Sequence, residues 1–216
     1  MIKAVLFDMD GLMIDSERAT YNAYVEVMTP LGYSFSEDQY KTLLGKTYRG
    51  IIGQFYSMFG EDFPMEKVWD DAHKILDERL VANVPLKKGL IELLEYLKNN
   101  HYKTIVATSS GRERVDKILS SAKITKYFDD TICGDEVTLG KPNPEIFLTA
   151  CDKLSVTPDE AIVLEDSESG IQAAYSGNIK VICVPDMKYP EKEYEEKVTD
   201  MADSLLDVIT FLEKNK

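Results

Sequence analysis

From about residue 86 onward the chain alternates between two kinds of apolar pattern. Helical spacing runs over 87–99, 112–122, 144–154, 169–176 and 204–214, and short β-branched runs lie between them at 104–107, 131–133, 161–164 and 181–184. Runs that are apolar at nearly every position suit strands buried on both faces, as in a parallel sheet covered by helices. Residues 2–7 form a further run of this type. The pattern predicts an α/β fold: a Rossmann-like parallel sheet core with helices on both faces.

The stretch 16–83 reads differently. Tyr21, Tyr24, Val25 and Met28, and later Val68, Ala72, Ile75, Leu76 and Leu80, recur at helical spacing with no convincing strand. Gly32, Gly45, Gly53, Gly60 and Pro64 punctuate it. An inserted all-helical cap domain over 16–83 is expected, with 1–15 and 84–216 forming the α/β core. The length of 216 residues suits one large domain carrying a smaller insertion.

Composition narrows the partners. The formal net charge of −13 argues against binding to nucleic acid or to an anionic membrane, both of which would be repelled. Cys133, Cys151 and Cys183 are odd in number and form no C-x-x-C pair, so they read as buried thiols in a reducing compartment. His73 and His101 are the only histidines, which excludes a histidine-rich metal site. With no apolar run near 18 residues and no room for a signal-peptide core before Asp8, a cytoplasmic monomer is expected.

Ligands of parallel sheets bind beyond the carboxyl ends of the strands. Asp8 and Asp10, followed by Gly11, come directly after the first apolar run. Thr108-Ser109-Ser110 follows the second, Glu165-Asp166-Ser167 follows that at 161–164, and a loop after Ile132 leads to Lys141-Pro142-Asn143-Pro144. Each segment singly reads as turn or capping chemistry. Capping does not, however, require two carboxylate pairs, a hydroxyl and a lysine at one sheet edge.

Several carboxylates a few ångströms apart need a cation. Oxygen-only ligands point to Mg²⁺, and Lys141 with the Thr108 hydroxyl then suits an anion, which should be phosphate. A small phosphorylated metabolite is the partner this chemistry implies.

In this order the residues resemble the haloacid dehalogenase-like superfamily of phosphotransferases. Its four motifs correspond to Asp8-Met9-Asp10-Gly11, Thr108, Lys141-Pro142-Asn143-Pro144-Glu145 and Glu165-Asp166-Ser167. The helical insertion between the first two motifs is similar to the β-phosphoglucomutase-like subfamily with a small helical cap, which implies a small phosphomonoester, sugar phosphate or nucleotide-like, as substrate. The resemblance implies Asp8 as nucleophile and Asp10 as general acid and base. It implies Mg²⁺ held by Asp8, the Asp10 backbone carbonyl and Asp166, with Glu165 adjacent. Thr108 and Lys141 would hold the phosphoryl oxygens, with Gly11 and Ser109 beside them.

Ser16, Thr20, Lys46, Thr47 and Arg49 are candidate substrate contacts from the insertion, although Lys46 and Arg49 read equally as solvated charges at a helix start. The mutase pattern carries a histidine where this chain has Thr20, and its cap arginine follows the loop glycine more closely than Arg49 follows Gly45. These departures favour a phosphatase over a phosphomutase. A receiver-like phosphorylation switch is the reading from another class, but such modules are shorter and place the aspartate on a later strand. An inactive binding relative is the third.

Overall fold

The computed structural model describes residues 1–46 and 48–215. Its strands are β1 (Ala4–Phe7), β2 (Lys103–Ala107), β3 (Asp130–Ile132), β4 (Ala161–Glu165), β5 (Lys180–Cys183) and β6 (Asp200–Met201). They form one sheet in the order β3-β2-β1-β4-β5-β6, with every pair parallel. The fold is the expected α/β Rossmann-like sheet.

Alternation along each strand feeds two separate cores. Val5, Phe7, Val106, Ile162, Leu164 and Ile182 face one way, and Ala4, Leu6, Ile105, Val163 and Val181 face the other. On the first face lie α5 (Leu90–Asn99), α6 (Arg112–Ser121) and the last helix (Leu205–Lys214). On the second lie α7 (Glu145–Leu154) and α8 (Glu168–Ser176). Strand β1 is therefore buried at every position, and the residue after it emerges between β2 and β4. There the strand order reverses direction, which opens a crevice at the carboxyl edge.

Residues cluster into two compact units, Met1–Asp15 with Val84–Lys216, and Ser16–Asn83. The second is built from α1 (Ser16–Met28), α2 (Glu37–Lys41), α3 (Tyr48–Phe59) and α4 (Met65–Ala82), with α1 packed on α4. Its centre is aromatic: Phe55 lies within 5.5 Å of the Tyr24, Phe35 and Phe63 rings, centroid to centroid. Thr47 lies outside the described residues.

Element boundaries differ from expectation for local reasons. The helix expected from 87 begins at Leu90, because Gly89 takes φ +86° and Lys87 N–H donates to the Met13 carbonyl. Leu86 pairs with Ile14 in an antiparallel bridge, so 84–87 is chain returning to the sheet before a turn at 88–89. Pro144 caps α7 rather than starting it. The edge strand β6 has only two residues and no apolar run to announce it.

Candidate active site

The loop after β1 is set by hydrogen bonds and by one glycine. Gly11 has φ +85°, and its N–H donates to the Ile14 carbonyl while the Met13 and Ile14 N–H groups donate back to Met9. A Cβ on Gly11 would collide with the Asp166 carboxylate, so this backbone passes directly against the loop after β4. Asp8 and Asp10 sit at the start of that turn, and Asp8 is buried.

Lys141 binds both strand ends together. Its Nζ lies 2.5 Å from Asp8 Oδ1 and 2.7 Å from Glu165 Oε1, and 4.8 Å from the centre of the Phe147 ring. The Lys141 side chain is only 4% exposed. Downstream, Glu145 accepts from the Thr138 and Leu139 N–H groups and fixes the loop that delivers the lysine.

Glu165 is fully buried and its other oxygen is also engaged: Oε2 accepts from Asp166 N–H, Ser167 N–H and Ser167 Oγ–H, each at 2.9 Å. Gly170, in the first turn of α8, leaves the room that this carboxylate occupies. Glu165 thus organises Lys141 and the turn carrying Asp166. Asp8, Glu165 and Asp166 each bring a carboxylate oxygen within 4.8 Å of the others.

Burial and the neighbouring Glu165 and Asp10 charges raise the Asp8 carboxyl to about 7, although Lys141 opposes them. Burial works to lower Lys141, yet Asp8 and Glu165 outweigh it and hold the ammonium above its usual range. The two shifts are consistent, since one cation between two buried carboxylates leaves an excess negative charge. A divalent cation among Asp8, Asp166 and the nearby backbone would remove that excess, and the all-oxygen donor set fits Mg²⁺.

Thr108 is buried after β2, and its hydroxyl oxygen accepts from Ser110 N–H at 3.2 Å. Ser109 is exposed, with its backbone close against Gly134. Ser110 Oγ donates to Asp10 Oδ2 at 2.7 Å, and Arg114 reaches both Asp10 oxygens, at 2.7 and 2.8 Å. Arg114 and Phe147 are not singled out by the sequence, and Ser110 is named there only as part of the Thr108-Ser109-Ser110 segment, without a role of its own. The spacing of Ser110 and Arg114, four apart at a helix start, is the one sign that those two could meet.

The insertion's candidates have local environments of their own. Thr20 Oγ1 donates to the Ser16 carbonyl one turn earlier at 2.8 Å, and the buried Ser16 hydroxyl has no partner among the described residues. Lys46 and Arg49 are exposed. A second acidic group, Cys133, Asp135 and Glu136, is taken up by capping and by Arg112: Asp135 accepts the Arg112 N–H, and Glu136 pairs with its guanidinium. Among the described residues no helix is long and apolar enough to cross a membrane.

The family model for haloacid dehalogenase-like hydrolases matches residues 5–184. A phosphorylated carbohydrates phosphatase of Thermotoga maritima is 32% identical over 185 residues, 84% of each chain. The validoxylamine A 7′-phosphate phosphatase of Streptomyces hygroscopicus subsp. limoneus is 30% identical, covering 83% of this chain and 84% of its own. A Thermotoga maritima crystal structure, provisionally named β-phosphoglucomutase, superposes with a TM-score of 0.82 over 99% of both chains at 28% identity.

Proposed function

The chain belongs to the haloacid dehalogenase-like hydrolases and is a phosphohydrolase; from that premise we propose that it is a Mg²⁺-dependent phosphatase of a small sugar phosphate, working through an aspartyl-phosphate on Asp8. The observation that carries the reading is the Asp8 carboxylate held by Lys141, with Glu165 and Asp166 beside it.

Asp8 attacks phosphorus, and the bond to the leaving oxygen breaks as Asp10 gives that oxygen a proton. Water then attacks the aspartyl-phosphate, and Asp10 takes its proton as the acyl-phosphate bond breaks. Lys141 offsets charge on Asp8 and on the incoming phosphoryl oxygens, while Thr108 and Ser109 border the same site. Asp8, Asp166 and the Asp10 backbone carbonyl would hold Mg²⁺, which supplies charge neutralisation and orientation. Glu165, with both oxygens already hydrogen-bonded, supports this set from behind.

Sugar phosphate is the favoured substrate class because two of the similar phosphatases are named for phosphorylated carbohydrates and for validoxylamine A 7′-phosphate; a nucleotide-like ester is the alternative, since another relative, 30% identical over 94% of this chain, is named for pseudouridine 5′-phosphate. Ser16, Thr20, Lys46 and Arg49 belong to the helical insertion read as a substrate-selecting cap. Phosphomutase is the second reading, favoured by the likeness to the provisional β-phosphoglucomutase. Incubation with hexose phosphates, with Mg²⁺ and with EDTA, separates the two. Free phosphate released only with Mg²⁺ supports the phosphatase; isomerised product without phosphate release overturns it.

A further inference from the structure

Arg114 lies in the first turn of α6, four residues beyond Ser110, and belongs to none of the four motifs. Its Nη1 reaches Asp10 Oδ2 at 2.7 Å and its Nη2 reaches Asp10 Oδ1 at 2.8 Å. Nη1 also donates to Ser110 Oγ at 2.7 Å, and that hydroxyl donates to Asp10 Oδ2 at 2.7 Å. A guanidinium meeting a carboxylate fork to fork fixes the plane of the carboxylate as well as its place, which a lysine point charge cannot do. With side chains 30% and 28% exposed, the pair contributes little to stability. Its geometric effect is larger: three donors hold the one carboxylate that must move a proton.

We propose that Arg114 is a positioning residue for Asp10. It fixes the orientation from which Asp10, in its ionised form, takes a proton from the attacking water. The inference rests on the phosphatase reading above. Arg114 itself neither gains nor loses a proton and forms no bond to phosphorus.

Rapid-quench kinetics with 4-nitrophenyl phosphate and Mg²⁺ test it, because nitrophenolate leaves without needing a proton while breakdown of the phosphoenzyme still needs a base. In Arg114→Gln, phosphoenzyme formation should stay within about threefold of the wild type while its decay slows about tenfold or more, with kcat/KM little changed. Arg114→Lys should restore part of the decay rate. Unchanged decay in Arg114→Gln, or formation and decay falling together, overturns the inference alone. Absence of phosphoenzyme in wild type and variants alike, with turnover continuing, overturns the phosphatase mechanism and this inference with it.

Discussion

Lys141 Nζ stands 2.7 Å from an oxygen of Glu165, a carboxylate with no solvent exposure, and the same nitrogen stands 2.5 Å from Asp8. Removing one partner of a buried ion pair leaves the other uncompensated, at a cost of about 3–5 kcal/mol. Lys141→Ala should therefore lose turnover and also unfold at markedly lower urea, whereas Lys46→Ala on the exposed surface should shift stability by less than about 0.5 kcal/mol. Equal urea midpoints for the two variants would refute the role given to Lys141.

The raised Asp8 carboxyl makes a prediction about pH. The folded chain binds the Asp8 proton more tightly than the unfolded chain, so between the ordinary aspartate value and about 7 this group costs stability as pH rises. Asp8→Asn removes that dependence. In EDTA, the thermal midpoint of Asp8→Asn minus that of the wild type should grow from about pH 4 to about pH 7, reaching a few degrees. A difference that stays flat across this window would contradict the shift.

Gly11→Ala should couple backbone strain to the metal site. A left-handed conformation costs a non-glycine residue about 1–2 kcal/mol, and the new methyl would meet the Asp166 carboxylate. Titration calorimetry should show weaker Mg²⁺ binding, with the fold retained by circular dichroism. Wild-type Mg²⁺ affinity in this variant would remove Asp166 from the proposed ligand set.

The sheet was legible because a strand buried on both faces leaves an unbroken apolar run, and four such runs lead into the polar residues of the crevice. The edge strand β6, two residues long, leaves none. In the site, Asp8 and Glu165 were legible as carboxylates placed at strand ends, and Lys141 as a lysine in the loop that follows the run at 131–133. Arg114 and Phe147 were not, because an arginine in a first helical turn and a phenylalanine on a buried helix face both have ordinary explanations. Their roles depend on which strand end each helix is brought beside, and that is decided by the order of strands, not by local pattern. The use of both Glu165 oxygens was hidden for the same reason, since two neighbouring acidic residues give no sign of which faces the lysine.

The identity of the nucleophile carries the whole account. Acid-quenching the wild-type chain during turnover of a hexose phosphate with Mg²⁺, then mapping the modified peptide by mass spectrometry, should find one phosphoryl group on Asp8. The adduct should be absent from Asp8→Asn, which should also lack turnover while keeping its fold. A phosphoryl group on another residue, or turnover persisting in Asp8→Asn, would contradict the mechanism.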